Sequence, residues 1–289
     1  MKILVLGGSG LVGSRFLELA TEYDVVAPTH EELDLLDLKK LETYLTQSDA
    51  DIVINFAAFT NVDTAEEEKD NEDGMVFNLN VKVPEALAKS CVSTNKYLIH
   101  ISSDYIFDGT KQVPYVEGDV PNPVNWYGTT KMLSEDAVRS VSPDFLIVRP
   151  EMPYSSRFDK KLDLARVFVK MLKEGTVING VMDQKITPTY VDTLVNALFK
   201  LIEARSSGIY HIASTDTATP YDFAMMVAEK FYLDKSLIKE VPFAEYNQTR
   251  KAKRPQNSYL DVTKFEVEFG EGILKTVEES IEEFKNQQL

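Results

Sequence analysis

Tyr127 and Lys131 stand four residues apart, the spacing that puts two side chains on one face of a helix. A phenol that titrates near 10 is a poor acid–base group at neutral pH until a neighbouring cation stabilises its phenolate, and a lysine one turn away can do so. Such a pair arises easily by chance. It gains weight from Ser102-Ser103-Asp104 at the end of an apolar run, because a hydroxyl there can hold a carbonyl oxygen that Tyr127 protonates.

A second constellation is Gly7-Gly8-Ser9-Gly10-Leu11-Val12-Gly13, directly after a strand pattern and at the opening of a helix. A tight turn wants glycine, a pyrophosphate needs close backbone approach and a helix N-terminus, and the last glycine lets helix and sheet pack closely. In this context the array reads as a dinucleotide-binding turn. The second strand, Val25-Val26-Ala27, ends in Pro28-Thr29-His30 rather than in the carboxylate that would bind a ribose 2′-hydroxyl and repel a 2′-phosphate. NADPH and NADH are therefore both admissible cofactors. Small residues in Asn55–Thr60 let a nucleotide lie across the sheet edge, although ordinary close packing explains them equally well.

The elements that must position these groups follow from apolar patterning. Ile3–Leu6, Val25–Ala27, Ile52–Phe56, Tyr97–Ile101 and Phe145–Val148 are short apolar runs with the look of buried parallel strands. Leu38–Gln47, Val81–Thr94 and Trp126–Val141 carry apolar residues at three- and four-residue intervals and read as covering helices. The fold class is α/β: a Rossmann-type, doubly wound parallel sheet with a smaller, interleaved C-terminal α/β lobe. Residues 1–150 form the dinucleotide-binding domain; 190–213, a helix and a strand, return to it; 151–189 and 214–289 make the substrate lobe.

With 46 acidic and 31 basic side chains the net charge is −15, and the only dense basic group is Arg250, Lys251, Lys253 and Arg254. That excludes a nucleic-acid footprint. The single cysteine, Cys91, permits neither an internal disulfide nor a Cys-rich zinc site, and a reducing, cytoplasmic compartment fits. The opening apolar run is too short for a signal peptide or a membrane span. The acidic run at 66–73 reads as a solvated helix end or loop, and His30, His100 and His211 as structural residues.

Residues along nearly the whole chain resemble the dTDP-4-dehydrorhamnose reductase family of extended short-chain dehydrogenases/reductases. They are Gly7 to Gly13, Asn55-Phe56-Ala57-Ala58-Phe59-Thr60-Asn61-Val62-Asp63, Asn80, Ser102 through Gly109, Pro123, Asn125, Tyr127-Gly128, Lys131 and Arg254-Pro255-Gln256-Asn257-Ser258. The Ser-Asp-Tyr-Ile-Phe-Asp-Gly run and the closing Arg-Pro-x-Asn-Ser are specific to this branch. The resemblance implies Tyr127 as proton donor, Lys131 on the nicotinamide ribose, and Ser103 beside the keto oxygen. It implies Ser9, Gly10, Leu11 and Val12 at the cofactor phosphates, Asp34 and Leu35 near the adenine, and Ala57, Ala58 and Thr60 on the nicotinamide side. Asp104, Tyr105, Met152 and Arg254 would meet a nucleotide-sugar substrate. Asn80 is expected to be structural. A homodimer is compatible with the resemblance.

Three departures bear on function. Met152 stands where the family presents a tryptophan to the base, Arg15 falls near the acidic residue that some members use for a bridging metal, so no metal is expected, and Ser103 replaces the usual threonine. Trp126 either lines the site or packs. The activity implied is reduction of the C4 ketone of a nucleotide-linked 6-deoxysugar. Two alternatives are a sugar-nucleotide epimerase or dehydratase, and a regulatory protein like the beta subunit of methionine adenosyltransferase. A dehydratase is disfavoured because only Asp104, and no second carboxylate, follows the strand-end hydroxyl in sequence.

Overall fold

The structure, a computed structural model, describes residues 1–158 and 160–288. Strands β1 (Lys2–Leu6), β2 (Asp24–Val26), β3 (Ile52–Asn55), β4 (Tyr97–Ile101), β5 (Phe145–Arg149) and β7 (Gly208–His211) form one parallel sheet in the order β2-β1-β3-β4-β5-β7. Strands β6 (Ile178–Val181) and β8 (Ile238–Val241) pair in parallel as a separate two-stranded sheet.

Alternation along β1 explains the double winding. Ile3 and Val5 face one apolar layer with Phe16 of α1 (Leu11–Leu19) and Leu194 and Leu198 of the long helix Val191–Ala204. Leu4 and Leu6 face the other, against Leu41 of α2 (Leu38–Gln47), Leu87 of α3 (Val83–Ser93) and Val138 of α4 (Trp126–Val141). A strand buried on both faces must be apolar throughout, which is why these strands read as runs rather than as alternations. A third cluster joins α5 (Leu164–Lys173), α7 (Pro220–Lys230) and α8 (Val277–Gln288) around Phe168, Phe223, Ile238 and Phe284; α6 denotes Val191–Ala204.

The boundaries depart from expectation at one informative place. The helix anticipated over Val81–Thr94 begins at Val83, with Pro84 in its first turn, and a wider π turn, Asn78–Lys82, precedes it. That turn carries Asn80 inward, where its amide is buried.

The strand order reverses between β1 and β3, and all the C-terminal ends open on one edge. Such a reversal leaves a crevice beyond the strand ends, the usual ligand position in open α/β sheets.

Candidate active site

Gly7 leaves β1 with φ +77°, and a Cβ there would lie 2.5 Å from the Ala57 amide nitrogen. Glycine is required on both counts. The Gly10 N–H donates to the Gly7 carbonyl at 3.0 Å and closes the turn, while Gly13 lies against that carbonyl too closely for any side chain. Two cavities flank this loop. One, of about 320 Å³, lies between Gly7-Gly8-Ser9 and the segment after β2, including Thr29, His30, Leu33 and Leu35. The other, of about 270 Å³, lies on the far side of the loop, lined by Gly10 to Gly13, Ala58 and Thr60, and by Ser102, Ser103, Tyr127 and Lys131.

This pair of cavities with a glycine-walled waist fits an extended dinucleotide. Ser102 Oγ supports that fit: it is buried at the second cavity with no hydrogen-bond partner among the described residues. Ala57 lies under Gly7, its N–H bound to Asn55 Oδ1 at 3.1 Å. Asp34 is half exposed and accepts from the Leu36 N–H at 3.0 Å; Leu35, not Asp34, lines the first cavity.

Helix α4 presents Tyr127 and Lys131, and its N-terminus is held from three directions. Asn125 caps it by accepting from the Gly128 N–H at 2.9 Å and donates to the Lys253 carbonyl at 2.7 Å. Glu66 accepts from the Trp126 N–H at 2.8 Å, a carboxylate at the positive end of the helix. Asn80 bridges both backbone groups of Phe59 and donates to Thr130 Oγ1 at 3.1 Å, which ties the β3 loop to α4. Glu66 belongs to the acidic run that reads as solvated in the sequence, and the structure corrects that reading for it and for Glu68, which accepts from the Val76 N–H at 2.9 Å. Trp126 packs on Phe77, with ring centroids 6.2 Å apart.

Both candidate catalytic side chains are buried. Lys131 Nζ donates to the Ile101 carbonyl at 2.7 Å, and burial pulls its pKa down to about 8 against the opposing charge of Glu135. Burial pushes the Tyr127 phenol above its ordinary range, an effect that Ser103 offsets and the Asp104 charge reinforces. The expected lowering by Lys131 does not occur in this arrangement, since the ammonium is turned to a strand-end carbonyl. A raised value keeps the phenol protonated through neutral pH, the form that a proton donor needs.

Asp104 is buried and faces protein: its oxygens accept from Ser103 Oγ at 2.9 Å and Ser258 Oγ at 2.7 Å. Ser258 also reaches Glu151 Oε1 at 3.2 Å. A second carboxyl therefore accompanies Asp104, contrary to the sequence reading, because parallel pairing of β4 and β5 brings together strand ends that are far apart in the chain. Glu151 does not line the catalytic cavity. Tyr105 meets Tyr127 edge to face at 5.6 Å. Met152 is half-buried in the left-handed region at φ +44°, packed against the third apolar cluster. Arg254 is engaged by Asp63 through two hydrogen bonds of 3.1 and 2.8 Å.

His100 sits between Asn55 and Ser134, His211 between Arg149 and the Asp261 carbonyl, and His30 is exposed. Burial drives the pKa of His100 well down and that of His211 to about 3, so both are neutral. Arg15 forms a buried two-pronged pair with Asp192, at 2.7 and 2.6 Å. Among the described residues no His, Cys, Asp and Glu cluster of three or more could hold a metal, and no helix is long and apolar enough to cross a membrane.

Comparison with known proteins agrees with this geometry. The RmlD substrate binding domain family matches residues 1–288. The chain is 33% identical to a probable low-salt glycan biosynthesis reductase of Haloferax volcanii, over 93% of each chain. It is 30% identical to the dTDP-4-dehydrorhamnose reductase of Salmonella typhimurium, over 93% of this chain and 92% of that one. The crystal structure of a dTDP-4-dehydrorhamnose reductase from Bacillus anthracis in complex with NADP superposes with a TM-score of 0.90 at 25% identity, covering 99% of both chains. The chain belongs to the RmlD family, the dTDP-4-dehydrorhamnose reductase branch of the extended short-chain dehydrogenases/reductases, which are NAD(P)H-dependent sugar-nucleotide reductases.

Proposed function

We propose that this protein reduces the C4 ketone of a nucleotide-linked 6-deoxysugar with NADPH or NADH, with dTDP-4-dehydro-L-rhamnose as the first substrate to test. The observation that carries this reading is the second cavity, where Ser103, Tyr127 and Lys131 converge on the far side of the glycine loop. The bound dihydronicotinamide supplies the hydride. Tyr127 gives its proton to the ketone oxygen, and the Ser103 hydroxyl turns from Asp104 to hold that oxygen. Lys131 holds the nicotinamide ribose, and its ammonium would stabilise the phenolate only on turning from the Ile101 carbonyl toward Tyr127. Ser9 to Gly13 take the phosphates, Leu35 with Asp34 outside it flanks the adenine, and Ala57, Ala58 and Thr60 border the nicotinamide half.

Residues 151–189 and 214–289 serve as the substrate lobe in this reading, with 190–213 belonging to the dinucleotide domain. Tyr105, beside Tyr127, contacts the sugar, while Asp104 acts on it through Ser103. Met152 offers the base an apolar contact without the stacking area of an indole. Arg254 exchanges part of its bond to Asp63 for the diphosphate.

The test is oxidation of NADPH and of NADH, followed at the nicotinamide absorbance, with dTDP- and UDP-linked 4-dehydro-6-deoxysugars. Substrate-dependent oxidation is expected. Silence with every sugar, while both cofactors bind in titration, would overturn the reading.

A further inference from the structure

Asp104 and Glu151 are 2% and 1% exposed and follow the adjacent strands β4 and β5. Ser258 reaches between them, its Oγ 2.7 Å from Asp104 Oδ2 and 3.2 Å from Glu151 Oε1. A hydroxyl carries one proton and so donates to one carboxylate only. If both groups were ionised, one carboxylate oxygen would face the Ser258 oxygen lone pair to lone pair.

The rest of the shell shows where the missing proton belongs. Asp104 Oδ1 accepts from Ser103 Oγ at 2.9 Å. Glu151 Oε2 takes the Thr187 N–H at 2.6 Å and also the Thr187 hydroxyl, which leaves Oε1 with Ser258 alone. The cations on the surrounding elements are all committed elsewhere. Tyr127 and Lys131 lie on α4, the latter on the Ile101 carbonyl. Arg149 of β5 is bonded to Glu135 at 2.8 and 2.6 Å, and Arg254 is bonded to Asp63. Tyr105 is neutral, its phenol value raised by burial. Among the described residues neither Asp104 nor Glu151 forms an ion pair. Two buried anions without a cation are unfavourable; Asp104 has the shorter contact from Ser258 and is also favoured as the anion by the backbone N–H groups of Asp104 and Tyr105, so the proton falls on Glu151 Oε1 and every group of the relay has a partner.

We propose that Glu151 is a positioning residue of the reductase site, held as a neutral carboxylic acid that donates to Ser258 and thereby limits, through Asp104, the hold on the Ser103 hydroxyl beside Tyr127. It rests on the reading of Ser103 and Tyr127 given above. The order is one-way: Glu151 donates to Ser258, Ser258 to Asp104, and Ser103 to Asp104 from the other side. Loss of the Glu151 proton lets Ser258 turn to Glu151, and Asp104 then draws more strongly on Ser103.

Glu151→Gln tests this, because an amide keeps the acceptor toward Thr187 and donates permanently toward Ser258. Three measurements on the full chain decide it. By infrared spectroscopy at neutral pH the wild type shows a protonated carboxyl stretch that Glu151→Gln lacks; absence of that band from the wild type overturns the proposal whether or not any sugar is reduced. In thermal unfolding, the stability that the proton contributes is fully present below the ordinary carboxylate range and is lost as pH rises through the Glu151 range, which burial and then the Asp104 charge push up. The melting temperature of Glu151→Gln should therefore gain on the wild type by several degrees between pH 5 and 9, and parallel curves overturn the proposal. In turnover, Glu151→Gln keeps kcat within about threefold at neutral pH and its ratio to wild type rises with pH, a comparison in which Lys131 cancels. Glu151→Ala loses about tenfold or more in kcat with little change in KM, a conventional size for a misplaced catalytic group. Equal loss in both variants would mean that shape alone matters and would overturn the positioning role.

Discussion

Gly13 opens α1 against the Gly7 carbonyl, and a methyl there meets backbone rather than a movable side chain. Gly13→Ala should push the loop apart and weaken NADPH binding by about tenfold or more, about 1.4 kcal/mol, in a fluorescence titration. Gly118→Ala, where nothing lies within 4 Å of the added carbon, should leave binding unchanged. That Gly10 to Gly13, Ser103, Tyr127 and Lys131 gather about one cavity was legible because each residue type answers a local need of a strand end or helix face. Glu151 was not, since its meaning comes from Ser258 and Asp104, partners that only the fold brings near. The direction of the Tyr127 shift was also out of reach: spacing puts Lys131 on the same face, but the Ile101 carbonyl decides where its ammonium points.

Helix α4 places two of those side chains, so its cap belongs to the site. Asn125→Ala removes a bond to the Gly128 N–H and one to the Lys253 carbonyl. The expected cost is about 1 kcal/mol of stability in denaturant unfolding, together with a fall in kcat that exceeds the loss of NADPH affinity, because the glycine loop is untouched and only Tyr127 and Lys131 lie on α4. Equal affinity and kcat losses would place the damage elsewhere. The span of α4 could be read from its three- and four-residue apolar spacing. The π turn at Asn78–Lys82 could not, because the wider turn depends on Asn80 finding Phe59 and Thr130 across a tertiary gap.

Six parallel strands with a reversal between β1 and β3 open one edge, and both cavities lie along it. The apolar runs announced that sheet because its central strands, β1, β3, β4 and β5, are buried on both faces. The small sheet was hidden: β6 and β8 are four residues each, and β8 reads Ile-Lys-Glu-Val, with only its ends apolar. Arg15 of α1, Asp192 of α6 and Gln287 of α8 meet in one buried network that joins the two ends of the chain. This framework holds the glycine loop opposite α4, and the central claim is that Tyr127 protonates a ketone reduced across that gap. The most direct test is a single turnover of dTDP-4-dehydro-L-rhamnose with NADPH carrying deuterium at the transferring position, followed by mass spectrometry and NMR of the sugar. The expected result is one deuterium at sugar C4, formed about a hundredfold or more slowly by Tyr127→Phe. A sugar without deuterium from enzyme that binds NADPH, or undiminished transfer in Tyr127→Phe, would contradict it.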